Sequence, residues 1–152
     1  MNELSSRFTP VNDSDSSCAH VFATLCVYHI DPDIVTKKLG LIPTSQEKVG
    51  ALGIMRSGRT VVGTVNSWLL TTENDVLSKD LRTHLSWLMD KIEPSGQALK
   101  ELQQEPGIQM SVRCYWESAH GDGGPTLWPE QMKRMAELNL EISLTCADYE
   151  EE

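Results

Sequence analysis

The sequence predicts an α+β fold: a mixed β-sheet of about five strands, with three to four helices packed mainly on one face, built from βαβ units related to the ferredoxin-like arrangement. Three observations lead there. Residues 66–92, NSWLLTTENDVLSKDLRTHLSWLMDKI, combine a strand, a turn and the most amphipathic helix of the chain. Residues 108–116, IQMSVRCYW, alternate apolar and polar side chains as a half-buried strand does. Strand-helix-strand patterns then stand at both ends of the chain, where a right-handed crossover is expected if the strands are parallel.

The elements follow in order. Residues 1–18 are rich in Ser, Asp and Asn and are expected to form a mobile arm, with a single domain over residues 19–148 and an acidic tail at 149–152. Residues 20–29, HVFATLCVYH, carry apolar groups on both faces, which predicts a central strand. A short helix is expected over residues 32–39. Asp31 serves as its N-cap, Pro32 sits at its first position and Gly40 supplies the left-handed residue that closes it. Ile34, Val35 and Leu39 are expected to face the sheet. Residues 44–50 are expected as a polar loop, and residues 51–56 and 60–72 as a hairpin around Ser57-Gly58 whose second strand runs into Trp68.

Ser78 is the expected N-cap of the long helix, with Asp80 near its positive end. Leu81, Leu85, Leu88 and Ile92 fall on one helical face with Met89 beside them, and Arg82, Asp90 and Lys91 fall outside that stripe. Pro94 ends this helix. A further helical piece over residues 95–104 stops at Pro106-Gly107. After the strand at 108–116, residues 117–126, ESAHGDGGPT, form a glycine-rich loop. Pro129 opens a last helix with Met132, Met135, Ala136 and Leu138 inward, and residues 140–146, LEISLTC, alternate as the last strand.

Composition narrows the classes of function. The chain has 152 residues, enough for one domain with a core that needs no metal or disulfide. A net charge of −9 argues against unspecific nucleic-acid binding, which rests on basic contacts with phosphates, and against an anionic membrane surface. It suits a basic protein partner. No apolar run approaches the ~20 residues that span a bilayer, and the first residues lack the plan of a signal peptide, so a cytoplasmic location is expected. Cys18, Cys26, Cys114 and Cys146 are then expected as reduced thiols. The last three lie in strand patterns and are expected to label slowly, and Cys18, on the arm, quickly.

The segments DPDIVTKKLGLIPT, Lys48-Val49-Gly50, Ser67-Trp68-Leu69-Leu70, residues 81–92 and LNLEISLTCAD together resemble the bacterial DUF4279 family over roughly residues 22–148. The family name records an unknown function. The resemblance implies a small bacterial αβ domain and assigns no catalytic residue. The loop at 117–126 is longer and richer in glycine than the resemblance leads one to expect.

Within that loop Glu117, His120 and Asp122 lie between Trp116 and Trp128, and these five residues are the candidate binding site. Loops on a rigid scaffold concentrate binding groups, and aromatics are enriched where binding energy is concentrated. GDGGP lacks the Lys and Ser/Thr of a phosphate-binding loop. Cys18 and His20 form one possible ligand pair, but no second paired motif completes a metal site, so no metal and no cofactor are expected. No G-x-S-x-G and no local cysteine signature points to a catalytic residue. The expected function is therefore a non-catalytic protein-interaction domain of the immunity or accessory kind. A small-ligand-binding regulatory module that dimerises through its sheet is the alternative, and an unrecognised enzyme the third reading.

Overall fold

The computed structural model describes residues 8–148. Seven strands and four helices follow in the order β1 (Cys18–Tyr28), α1 (Pro32–Leu39), β2 (Ser45–Glu47), β3 (Leu52–Ile54), β4 (Thr60–Val62), β5 (Ser67–Thr71), α2 (Leu81–Ile92), α3 (Gly96–Leu102), β6 (Gln109–Ser118), α4 (Pro129–Glu137) and β7 (Glu141–Asp148). Five strands make one mixed sheet in the order β2-β5-β1-β6-β7, and β3 and β4 pair separately as a hairpin. Within the sheet, β1 runs antiparallel to both β5 and β6, β2 runs antiparallel to β5, and β7 runs parallel to β6. Two interleaved units result: β1-α1-β2 has β5 between its strands, and β5-α2-α3-β6 has β1 between its strands. That interleaving is the split βαβ of ferredoxin-like folds, extended at one edge by α4 and β7.

Local chemistry explains why the helices start and stop where they do. The Asp31 carboxylate accepts from the Asp33 amide, Pro32 opens α1, and Gly40 at φ 66° returns its amide to the Thr36 carbonyl. Asp80, rather than Ser78, caps α2: its carboxylate accepts from the Arg82 amide, while the Ser78 hydroxyl accepts from the Asp80 amide. A 3₁₀ turn over Glu93–Ser95 links α2 to α3.

The core lies between the sheet and the helices. Val21, Ala23, Leu25 and Val27 of β1, Trp68 and Leu70 of β5, and Val112, Cys114 and Trp116 of β6 meet Val35 and Leu39, then Leu81, Leu85, Leu88, Met89 and Ile92, then Leu99, Leu102 and Met135. Trp68 is fully buried, and its indole N–H donates to the Thr36 hydroxyl at 3.0 Å, so its one polar atom is satisfied. His84 is also fully buried. Its Nε2–H donates to the Ser78 carbonyl at 2.7 Å, and its Nδ1 accepts from the Thr72 hydroxyl at 2.6 Å, which itself accepts from the Ala23 amide. Burial pushes the His84 pKa below its ordinary value, which keeps the ring neutral in this chain of bonds.

Several expectations are corrected. The second hairpin strand does not reach Trp68. It ends at Val62, because Gly63 folds back so closely that a Cβ there would stand 2.0 Å from the Lys48 carbonyl oxygen. The polar loop at 44–50 contains β2, a strand defined by its bonds to β5 although its three residues are exposed. Ile34 is 46% exposed, since Pro32, Val35 and Leu39 are the residues of α1 that turn inward. Met132 and Ala136 face outward, and Gln131, Met135 and Leu138 face inward. Helix α4 makes its helix contacts with α2, and along the helix side of the edge strand β7 Ile142 packs on the core while Leu144 and Cys146 are exposed.

That edge position also reverses part of the thiol expectation. Cys146 is exposed, whereas Cys18 is buried like Cys26 and Cys114. Burial raises the thiol pKa of all three buried cysteines, that of Cys114 to about 12. Since the thiolate is the reactive form, a thiol reagent on the native protein is expected to modify Cys146 rapidly and the other three slowly. Mass mapping of the labelled peptides checks this, and rapid modification of Cys18 would contradict its packing.

The expected mobile arm is held wherever it is described. The Arg82 guanidinium donates to the Thr9 and Pro10 carbonyls, the Asn12 amide donates to the Asp80 carboxylate, and the Asp13 carboxylate accepts from Ser78 and Thr83. These bonds tie residues 9–13 to the start of α2. Residues 1–7 of the arm and the acidic tail at 149–152 lie outside the described residues.

Candidate functional site

The five residues singled out in sequence do not gather around one point. Trp116 is 3% exposed and belongs to the core. Glu117, the next residue of β6, projects from the other face of the sheet. His120 and Asp122 are exposed on the loop, and the Asp122 carbonyl accepts from the Ser118 hydroxyl at 2.6 Å. Trp128 is half-buried: its indole N–H donates to the Thr9 carbonyl at 3.0 Å, and the Arg82 guanidinium stands 5.1 Å from its ring centre. Trp116 and Trp128 do lie at one end of the molecule, but what they frame there is the chain's own arm.

At that end is a small cavity of about 150 Å³, bounded by Thr9, Asn12, Asp80, Arg82, Trp116 and Pro125 among others. Its centre is the buried pair of Arg82 and Asp80, 3% and 7% exposed and 2.7 Å apart. Burial alone would raise the Asp80 carboxyl, but the hydrogen bonds from Arg82 and from the Asn12 amide outweigh it and hold the pKa below its ordinary value. Both charges are consumed by the pair and by the arm's backbone. Among the described residues no buried side-chain nitrogen or oxygen lacks a hydrogen-bond partner, so this cavity holds nothing aimed at a ligand.

The richer surface is the face of the sheet that the helices do not cover. The alternation of β1 and β6 places His20, Phe22 and Tyr28 beside Glu117, Tyr115 and Gln109 across the strand pair. Phe22 and Tyr115 stack with ring centres 5.3 Å apart, and His20 lies 5.3 Å from Phe22. His20 Nε2 is 2.8 Å from the Glu73 carboxylate, and the Tyr115 hydroxyl donates to Glu117 at 2.9 Å. That bond to Glu117 raises the Tyr115 pKa. Further along, the Arg113 guanidinium sits 5.3 Å from the Tyr28 ring centre, a cation–π arrangement. It lines a groove of about 510 Å³ together with Tyr28, Gln103, Ser111 and Glu141.

By register, Glu47, Glu117 and Glu141 project from this same face, and Glu73 reaches it through His20. These four carboxylates outnumber the guanidinium of Arg113. A stripe of half-buried aromatic rings therefore lies inside an acidic border on the face that the helices leave uncovered. Sequence reasoning missed His20, Phe22, Tyr28, Arg113 and Tyr115 as a group. The signal was there in the polar half of the alternation at Gln109, Ser111, Arg113 and Tyr115, but it gains meaning only once β1 is laid beside β6.

Among the described residues the His20 and Glu73 side chains bond to each other and to no Ser, Thr or Cys side chain, and no three His, Cys, Asp or Glu side chains gather as metal ligands. No described helix is long and apolar enough to cross a membrane.

A family described as a domain of unknown function, DUF4279, matches residues 18–149. No curated protein matches the chain, and no solved structure does.

Proposed function

The chain belongs to the DUF4279 family, and from its geometry we propose that it is a non-catalytic binding module that docks a basic protein partner on the uncovered face of its sheet. One observation carries this reading: Phe22 and Tyr115 are stacked on an unroofed five-stranded sheet and bordered by Glu47, Glu73, Glu117 and Glu141. Aromatic side chains offer large apolar area at low entropic cost, and carboxylates around them attract a positively charged docking surface and repel an acidic one. The net charge of −9 adds long-range attraction for the same class of partner. An immunity or accessory role, in the cytoplasm, is a setting in which such a module operates.

Glu117 lies in β6, which runs to Ser118, so the expected loop begins at Ala119, with His120 and Asp122 exposed on it. The test is the affinity of a partner retained from a host lysate and then purified. Phe22→Ser with Tyr115→Ser is expected to weaken it at least about tenfold, a loss of roughly 1.4 kcal/mol. His120→Ala with Asp122→Ala is expected to weaken it less, and to change unfolding stability by no more than about 0.5 kcal/mol, the usual range for surface changes. Equal affinity for wild type and the serine variant, at unchanged stability, would move the binding surface elsewhere.

A further inference from the structure

The β3–β4 hairpin presents a second apolar surface, apart from the sheet face. Leu52 pairs with Val62 and Ile54 with Thr60, so Leu52, Ile54 and Val62 share one side of the hairpin. They are 76%, 81% and 55% exposed, and Val49 and Met55 beside them are more than half exposed. Monomeric proteins leave single apolar side chains exposed without consequence, but a contiguous group marks an interaction surface. The tip carries Arg56 and Arg59, both exposed, in a chain whose net charge is −9. The base is fixed: Gly50 and Gly63 bond through the backbone at 2.9 Å, and the Val49 amide donates to the Asn66 side chain at 2.9 Å. An anchored, apolar arm with a basic end therefore projects beside the sheet edge formed by β2.

We infer that this protein pairs with a second copy of itself, the β3–β4 hairpin of each copy seating on the uncovered sheet face of the other. This inference rests on the proposed binding role of that face, and the basic group it receives is the local Arg56–Arg59 tip of a second copy, which is acidic overall at −9, rather than a partner basic as a whole. The two surfaces complement each other and are left unused within one chain. Apolar Leu52, Ile54 and Val62 match the Phe22–Tyr115 stripe, and Arg56 and Arg59 match the carboxylates of Glu117 and Glu141. From its base to the turn at Gly58 the arm spans at most roughly 25 Å, and sheet strands lie about 4.8 Å apart, so it is long enough to cross several strands of the opposing sheet. Each copy offers one arm and one face. A two-fold pair uses all four surfaces and closes, which prevents a chain of copies from growing. Reciprocal seating also doubles the contact, toward the roughly 1,200–2,000 Å² typical of specific interfaces.

Charge reversal with sedimentation equilibrium tests this. The wild type is expected to reach twice the 17.0 kDa of one chain. Arg56→Glu with Arg59→Glu, or Glu117→Lys with Glu141→Lys, places like charges together and is expected to raise the dimer dissociation constant at least about tenfold. All four changes in one chain restore opposite charges and are expected to restore the dimer. Far-UV circular dichroism and thermal midpoints close to wild type would show that each variant folds. A wild type that stays monomeric up to about 1 mM, a dimer indifferent to both reversals, or a fourfold variant that fails to recover overturns the pairing. If the wild type is monomeric yet loses a different protein partner through Phe22→Ser and Tyr115→Ser, the self-pairing falls and the binding role of the face stands. If those changes affect no partner at all, the binding role falls as well.

Discussion

Replacing Leu85 by alanine is expected to lower the unfolding free energy by about 2 to 5 kcal/mol, the cost of deleting a buried leucine side chain and leaving part of its volume empty. Leu85 is fully buried in the middle of the stripe formed by Leu81, Leu88, Met89 and Ile92, against β1. The helix is held from both ends, by the Asp80 cap and by its continuation into the turn before α3. It therefore has little freedom to sink into the space. Urea unfolding measures the loss. A change below about 0.5 kcal/mol, the range of surface substitutions, would mean that this face does not pack on the sheet.

Arg82→Ala is expected to be of the same order, about 3 to 5 kcal/mol, because it leaves the Asp80 carboxylate buried without its partner. Asp80 would keep the Arg82 and Asn12 backbone amides but lose the guanidinium bonds at 3.0 and 2.7 Å. The same change removes the donors to the Thr9 and Pro10 carbonyls, so residues 8–17 should become sensitive to limited proteolysis under native conditions. The double change Asp80→Ala with Arg82→Ala is expected to cost less than the sum of the two single ones, since it also removes the stranded charge. A loss under about 1 kcal/mol for Arg82→Ala, with the arm still protected, would show that the pair does not hold the arm in place.

Where the sequence was legible, a local rule was sufficient. Asp31, Pro32 and Gly40 delimit α1 with bonds made inside the helix and its caps, so the expected bounds of 32–39 match the observed ones. The alternation in β6 and the stripe in α2 likewise follow from one element meeting one apolar layer. The α+β class with a mixed five-stranded sheet follows from the same patterns, but the interleaved order does not, since it needs β2 in what reads as a polar loop. Other features depend on partners distant in the chain. Arg82 looks like a solvent-facing residue by periodicity, and its burial follows from carbonyls at Thr9 and Pro10 that no local pattern can indicate. β2 is a strand only because β5 offers it a free edge. Cys18 and Cys146 exchange their expected exposures because one is covered in the completed core and the other lies on the exposed part of an edge strand's helix side. The candidate loop was visible as a loop, but the sequence could not show that Trp116 turns into the core and that Trp128 holds the arm.

The uncovered face was legible only in halves: Phe22 belonged to a strand with two apolar faces, and Tyr115 to the polar half of an alternating one. Their stack exists because β1 and β6 pair in the register that sets Phe22 opposite Tyr115. Whether that face is the working surface is tested most directly by site-specific photo-crosslinking. A photoreactive phenylalanine analogue placed at Phe22 is compared with the same group at Met132, which is 48% exposed on α4. Irradiation in a host lysate is expected to give one discrete adduct from position 22, with a basic protein or with a second copy of this chain, and none from position 132. A discrete adduct from position 132 alone, or the same adducts from both positions, would contradict the account.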